Sequence, residues 1–295
     1  MKMPMSELGE YTTRRNSFQF LNVKLLHNQS PENYIQLFEK LKEEDYVVNV
    51  NKTKAVELVD FYKSQKAPGV YIGKMNSFMR MQSEQWYNRK IKRIVPGPEI
   101  DEDLCPNTSE GLFYFIPERH RVAVSSVSPV NVGLVRLFII EASERLLGKQ
   151  QLTVTTETDR GFIEEIKSAK EVSRISVTWS YTNGDAQKGL AKILDDAAKK
   201  AGAARISAEL YSAPGETLAV DEEDLSGAVL ELSVSNAEGE ASATIRNPEY
   251  NKNGKQIKAN RKNVTTRNFP LKYVFTSKLP EVPGMVYDFI MSRFK

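Results

Sequence analysis

The segment LFYFIPERHRVAVSSV, residues 112–127, decides the fold class of this chain. Its two short, nearly continuous apolar runs are joined by Glu118 and Arg119, a pattern typical of a β-hairpin in a well-covered sheet. From about residue 131 to 147, apolar residues recur at helical spacing, and Gly148 stands where a left-handed cap is expected. A hairpin followed directly by a helix predicts a mixed α and β fold.

On both sides of this hairpin, the sequence pattern predicts further strands and helices. Towards the N-terminus we expect strands, an amphipathic helix with Ser30 as N-cap, and a short helix in the run AVELVDFYKS, residues 55–64. Towards the C-terminus we expect a β-α-β-β-β unit, whose third strand is GAVLELSVSN, residues 227–236.

The sequence therefore predicts an α+β fold of mainly antiparallel sheets with flanking helices, arranged in two lobes. The N-terminal lobe is expected to span residues 1–171, with the chain returning to it at about 270–295. The second lobe is expected to span residues 172–269 and to carry a basic hairpin.

Composition narrows the class of protein. The chain has 295 residues and a formal net charge of +3, and Cys105 is its single cysteine. No internal disulfide can form, which favours a reducing compartment. The N-terminal segment lacks the apolar core of a secretory signal, and the most apolar helical run is too short to span a membrane. We therefore expect a cytoplasmic protein with no membrane span.

Charge is distributed unevenly along the chain. Residues 216–240 contain eight acidic residues and no basic ones, whereas residues 246–278 contain nine basic residues against Glu249 alone. Such asymmetry is informative about binding partners rather than about fold.

The basic window begins with YNKNGKQIKANRKN, residues 250–263, in which Asn253 and Gly254 predict a hairpin turn. A two-stranded ribbon with flexible lysines can straddle a phosphate backbone and release its counterions. The candidate phosphate-binding residues are Lys252, Lys255, Lys258, Arg261, Lys262 and Arg267. Two alternatives are a solubilising hairpin that balances the acidic window, and a docking surface for an acidic protein.

A second basic run, NRKIKR at residues 88–93, follows Trp86 and Tyr87. Aromatic side chains beside cations can stack on bases, so Lys90, Lys92 and Arg93 are further candidates for contact with nucleic acid. The alternative is a strand end whose aromatic residues pack on the core.

Signals for an enzyme are sparse. His27 and His120 are about ninety residues apart in sequence, and we expect structural or surface roles for both. Glu165 and Lys167 form a Glu-x-Lys pair with Asp159 upstream, which resembles part of a metal-dependent nuclease site. In such nucleases the triplet lies on a strand, whereas Phe162, Ile163 and Ile166 here fit helical spacing. We therefore expect no catalytic residue, no metal and no cofactor.

The hairpin and helix of residues 112–147, the segment SRISVTWSYTNGDAQKGLAKIL and the late Asn-Gly hairpin together resemble the layout of the Rex phage-exclusion sensor proteins of temperate phages. The layout is also similar to bacterial families of unknown function found near phage-defence loci. This resemblance implies two globular lobes, a homodimer, DNA binding with little sequence preference and a role in phage defence or prophage maintenance. It implies no catalytic residues.

The leading hypothesis is a non-enzymatic, homodimeric protein that binds nucleic acid, with DNA favoured over RNA and double-stranded DNA as the expected form. One alternative is a metal-dependent nuclease effector that uses Asp159, Glu165 and Lys167. The other is a protein-interaction subunit of a defence complex, docked through its acidic and basic patches.

Overall fold

The computed structural model describes residues 13–80, 86–97, 104–179, 189–203, 206–221, 223–235, 240–247, 249–250, 253, 256–257 and 261–294. The chain divides into two compact units, which we call the first and second units. The first consists of Met1–Val154 and Tyr273–Lys295, and the second of Thr155–Lys272. The division falls at residues 154–155, ahead of the position near residue 171 that the sequence pattern indicated.

In chain order the described strands are β1 (Arg14–Leu25), β2 (Val48–Asn49), β3 (Lys54–Lys63), β4 (Tyr71–Met79), β5 (Trp86–Asn88), β6 (Arg93–Val95), β7 (Ser109–Ile116), β8 (Arg121–Ser125), β9 (Leu152–Thr156), β10 (Glu171–Trp179), β11 (Ile206–Tyr211), β12 (Glu240–Arg246), β13 (Glu249–Tyr250), β14 (Gln256–Ile257), β15 (Arg261–Thr265) and β16 (Lys272–Ser277). The described helices are α1 (Pro31–Glu43), α2 (Val132–Leu147), α3 (Gly161–Lys167), α4 (Gly189–Lys200), α5 (Leu225–Ser235) and α6 (Val282–Arg293). The fold is therefore α+β, as predicted.

The first unit is built on an eight-stranded sheet of described strands, in the order β16-β1-β8-β7-β4-β3-β2, with β9 also paired to β1. The pairs from β1 through β2 along this order are antiparallel. The hairpin predicted at residues 112–127 is β7–β8, near the middle of the sheet. Its turn, Pro117–Arg119, is a short 3-10 segment that ends at His120 in the left-handed region, with φ 54°. The predicted hairpin is confirmed.

Helices α1 and α2 supply much of the core on one face of this sheet. The Ser30 side chain accepts from the backbone N–H of Asn33 at the start of α1, as the sequence predicted, and Asn131 does the same for Leu134 in α2. Buried Phe38 of α1 lies over the sheet, with its ring centroid 4.7 Å from that of Phe115. The apolar face of each helix thus covers apolar strand residues, which is the main stabilising term of the unit.

Aromatic side chains also join the sheet to α6. The Phe20 ring of β1 stacks on Phe289 with centroids 5.1 Å apart, and the Arg121 guanidinium lies 4.5 Å from the ring centroid of Phe294. These contacts fix the C-terminal segment to the sheet of the first unit.

The prediction of a short helix in residues 55–64 is wrong, because this segment is strand β3. Its pairing with β4 shifts register between Leu58 and Asp60, which marks a β-bulge. The buried residues Val56, Leu58 and Phe61 are consequently two and then three positions apart. A bulge adds one residue to the strand and so imitates helical spacing in the sequence.

The second unit contains a four-stranded antiparallel sheet of described strands, in the order β11-β10-β12-β15. Residues of α3, α4 and α5 pack against one face of this sheet in a separate apolar core. No described helix in either unit is long and apolar enough to cross a membrane.

The prediction of a strand at residues 227–236 is also wrong, because residues 225–235 form α5. The run is apolar on all sides, and its buried positions include Ala228, Leu230 and Leu232. Periodicity cannot separate a buried strand from a buried helix in such a run. The acidic residues just before it, among them Asp224, suit a helix N-terminus, since the helix dipole favours negative charge there.

Candidate nucleic-acid interface

The sheet of the second unit has one face without a described helix packed on it, which we call the open face. Along each strand the side chains alternate, and the apolar ones point towards the helices. In rows across the sheet the open face carries Arg246 and Arg261, then Tyr211, Arg174, Thr244 and Asn263, then Glu209, Ser176, Ser242 and Thr265, and finally Ser207, Thr178 and Glu240. It is therefore a polar surface rich in hydroxyl groups.

Glu209 holds two neighbouring side chains of the open face in place. Its carboxylate accepts from Arg174 Nη2 at 2.8 Å and from Tyr211 Oη at 2.5 Å. The Arg174 guanidinium lies 5.5 Å from the centroid of the Tyr211 ring. Hydrogen bonding from Tyr211, followed by that from Arg174, lowers the pKa of Glu209, and the same contact raises the pKa of Tyr211. The Tyr211 ring is held by these contacts although it is 63% exposed.

Arg246 and Arg261 face each other across β12 and β15, directly at the base of the basic hairpin. Like charges in opposite positions of a strand pair repel each other. Arg246 has an acidic neighbour, with Nη1 3.3 Å from Glu171 Oε2. Arg261 is exposed and makes no ion pair with any residue that the structure describes. Among the described residues of the open face, Arg261 is therefore the arginine without an acidic partner.

A cleft of about 440 Å³ opens beside these residues, with Arg174, Tyr211, Thr244 and Arg261 among those that line it. One wall is the turn Ala213–Glu216, which is closed by a hydrogen bond of 2.9 Å from the Glu216 N–H to the Ala213 carbonyl. Pro214 followed by Gly215 at φ 85° has the form of a type II turn.

The rest of this wall is attached to β10. The Ser212 N–H donates to Ser173 O at 3.1 Å, and the Leu218 N–H donates to Val172 O at 2.9 Å. The shape of the cleft therefore does not depend on a long free loop.

The predicted phosphate-binding residues are placed differently from one another. Lys252, Lys255 and Lys258 lie outside the described residues. The pairing of β13 with β14 around Asn253 confirms that this segment forms a hairpin.

The three remaining candidates of this group do not share a surface. Arg261 is on the open face, whereas the next residue, Lys262, lies on the helix side of the sheet, where its Nζ is 2.7 Å from Glu165 Oε1. Arg267 follows β15 in a 3-10 turn, with Nη2 2.7 Å from Glu240 Oε1. Both Lys262 and Arg267 are thus paired with acidic groups, and Glu240 belongs to the acidic window of residues 216–240.

The second basic run lies in the first unit, on the small hairpin β5–β6. Lys90 and Lys92 are in its turn and Arg93 begins β6, and all three are exposed. The alternative that Trp86 and Tyr87 pack on the core is not observed, since both are exposed, Tyr87 to 63%.

The three residues considered for catalysis, Asp159, Glu165 and Lys167, are not brought together in one site. Asp159 Oδ1 accepts from the Gly161 N–H at 2.8 Å, and Glu165 and Lys167 lie on α3 as helical spacing predicted. Side chains two residues apart on a helix point about 200° apart, so Glu165 and Lys167 do not face one site.

His120 and Cys105 are the other titratable residues that the sequence analysis considered. His120 packs against Tyr34, with ring centroids 4.5 Å apart, and Cys105 is a free thiol of intermediate exposure. Across the described part of the chain, no three His, Cys, Asp or Glu side chains gather as metal ligands would.

Sequence reasoning missed Arg174 and Tyr211 as parts of a surface. The signal was present in the alternation of RISVTW and ISAELY, where every second residue is polar or aromatic. What the sequence could not supply was the register that aligns Tyr211 with Arg174 and Arg174 with Thr244.

A family model described as a domain of unknown function (DUF4747) matches residues 14–278 of the chain. The chain belongs to the DUF4747 family. The DUF4747 match includes both sheets, the basic hairpin and the open face. No curated protein matches the sequence.

Proposed function

We propose that this protein binds nucleic acid through the basic hairpin and the adjoining open face of the second unit. The observation that carries the proposal is the opposed pair Arg246 and Arg261 at the base of the hairpin. A phosphate placed over this pair would offset its repulsion and accept hydrogen bonds from both guanidinium groups.

The charge for binding comes mainly from the hairpin. On the open face, Arg174 is paired with Glu209 and Arg246 with Glu171, which leaves Arg261 as the arginine without an acidic partner among the described residues. The chain then adds Lys252, Lys255 and Lys258 within the hairpin segment itself. Cations on a ribbon beside a hydroxyl-rich face supply charge for phosphates and hydrogen-bond donors for phosphate and sugar oxygens.

Weak sequence preference follows from the same geometry. The described helices of the second unit pack on the covered face of the sheet, so none of them is presented from the open face to a major groove. Side chains that reach phosphate and sugar position a protein on nucleic acid without reading bases. We accordingly propose DNA binding of low specificity, with duplex DNA as the form that the sequence favours.

The test is fluorescence anisotropy with duplex and single-stranded DNA and with RNA, measured at several salt concentrations. Arg261→Glu and the double variant Lys255→Glu with Lys258→Glu are compared with the parent. Each lost phosphate contact should reduce the slope of log K against log salt by about 0.9 on duplex DNA. Lys199→Glu is the matched control, since this exposed lysine is on α4, on the covered side of the sheet. Parent-like affinity and salt slope in both hairpin variants would remove the proposal.

Three further proposals are a homodimer, a cytoplasmic location and a role in phage defence or prophage maintenance. The first and third are supported by the resemblance to phage-exclusion proteins, and the second by the single cysteine, Cys105. Light scattering over a range of concentrations tests the first, and a monomer throughout contradicts it. Fractionation of the host cell tests the second. Phage plating on cells with and without the gene tests the third, and equal plaque counts contradict it.

A further inference from the structure

We infer that the cleft at the base of the basic hairpin receives one unpaired nucleotide, with its base on the Tyr211 ring and its phosphate at Arg261. The inference rests on the proposed function and makes it more specific. In addition to binding duplex DNA, the protein is then expected to bind a duplex with a frayed end or a short single-stranded overhang more tightly than a fully paired duplex.

The dimensions of the cleft suit this ligand. Its volume of about 440 Å³ falls in the range of small-molecule sites. Its floor is the sheet row that contains Arg174 and Thr244, and its wall is the Ala213–Glu216 turn attached to β10. Both parts are in place before any ligand arrives, which reduces the entropic cost of binding.

Tyr211 is the stacking group. Its hydroxyl is fixed by Glu209 at 2.5 Å and its ring has the Arg174 guanidinium 5.5 Å from the centroid. Tyr211 is 63% exposed and lines the cleft, and its contacts with Glu209 and Arg174 restrict the rotational freedom that an exposed tyrosine ordinarily keeps. A held, exposed aromatic ring beside arginine is the arrangement on which proteins stack unpaired bases.

Positively and negatively charged side chains both line the cleft, and this combination favours a nucleotide over inorganic phosphate. Arg261 makes no ion pair with any described residue, so its guanidinium is available to a phosphate. Glu171 and Glu216 also line the cleft and disfavour a small bare anion. They can instead accept hydrogen bonds from base amino groups or sugar hydroxyls, which a nucleotide has and inorganic phosphate lacks.

The experiment compares three DNA probes: a blunt hairpin duplex whose two arms are joined by a non-nucleotide linker, the same hairpin with a short single-stranded overhang, and a single strand with the sequence of one arm. The variants are Tyr211→Ala and Tyr211→Phe. Both lose the hydroxyl contact with Glu209, so the difference between them isolates the aromatic ring. Ser207→Ala, at the far row of the open face, is the matched control.

We expect Tyr211→Ala to weaken binding of the single strand and the overhang probe by about 5- to 150-fold, the range for one stacked base. Tyr211→Phe should retain most of the affinity, and binding of the blunt hairpin should be the same in all variants. Equal binding by Tyr211→Ala and Tyr211→Phe, or an equal loss on the blunt hairpin, overturns the cleft assignment while leaving nucleic-acid binding intact. If the parent protein binds none of the probes, the proposed function itself fails.

Discussion

Acid should destabilise the first unit through His120. Burial is the largest cause that lowers the pKa of His120 from 6.5 to about 4, and the positive charges of Arg121, Lys24 and Arg119 act in the same direction. Above pH 6.5 the imidazole is neutral in both the folded and unfolded states, so it contributes no pH dependence. Between pH 6.5 and 4 the unfolded chain binds a proton that the folded chain does not, so the free energy of unfolding falls as the pH falls.

The magnitude follows from the width of this interval. A pKa difference from 6.5 to 4 corresponds to roughly 3 kcal/mol, since one pH unit is worth about 1.4 kcal/mol. The imidazole is only partly buried and solvent screens the neighbouring charges, so we expect a loss of about 2 kcal/mol. The loss should be complete once the pH is below the folded pKa of about 4.

The assay is urea unfolding of the parent and of His120→Asn at about pH 7.5 and about pH 4.5. Unfolding is measured by hydrogen exchange of peptides from β7–β8, so that the first unit is observed by itself. Asparagine is chosen because it tolerates the left-handed backbone of residue 120, with φ 54°. The decrease in unfolding free energy between the two pH values should be about 2 kcal/mol smaller in the variant.

His27→Asn, in an exposed segment, is the matched control. Because the chain has two histidines, each variant also assigns one imidazole signal in an NMR titration. An identical pH dependence in parent and His120→Asn, or a folded His120 signal with its midpoint near 6.5, would refute the reasoning.

Three further substitutions test the packing and the turns. Gly73→Ala places a Cβ 2.0 Å from Phe113 Cζ, so it should lower the free energy of urea unfolding by about 1–3 kcal/mol. Adding Phe113→Leu should recover part of this loss, and an unchanged unfolding midpoint in Gly73→Ala would contradict the contact. Asn131→Ala removes the cap contact with Leu134 at 3.1 Å and should cost about 1 kcal/mol in thermal unfolding, whereas parent-like stability would show that the cap is dispensable. Gly215→Ala meets no neighbouring atom but has φ 85°, so it should loosen the cleft wall by about 1 kcal/mol, seen as faster hydrogen exchange in residues 212–218; unchanged exchange argues against strain in the turn.

Sequence patterns predicted the elements whose signals are local. A local pattern within about fifteen consecutive residues encodes each of three elements, so the sequence alone identifies them. They are the apolar hairpin β7–β8, the capped helix α1 and the helix α3. The errors came where another effect altered the spacing. A bulge at Leu58–Asp60 made a strand look helical, and the uniformly apolar run of α5 carried no period at all.

The candidate interface was only partly predictable for a related reason. Composition located the basic segment, but alternation along β15 places neighbouring Arg261 and Lys262 on opposite faces of the sheet. The acidic partners of Lys262 and Arg267, namely Glu165 and Glu240, are distant in sequence. The cleft depends on strand register and on a turn attached to β10, neither of which a local pattern specifies.

The chain passes from the first unit to the second near residue 155 and returns near residue 272, and the two crossing segments are adjacent. Strand β9 and strand β16 both pair with β1, and beyond them Glu157 O accepts from the Leu271 N–H at 2.8 Å while Phe269 O accepts from the Asp159 N–H at 2.7 Å. The two connections between the units are therefore adjacent, hydrogen-bonded segments of the chain. Deletion of residues 158–270, with residue 157 joined to residue 271 through a tight reverse turn, should keep the described strand pairings of the first unit.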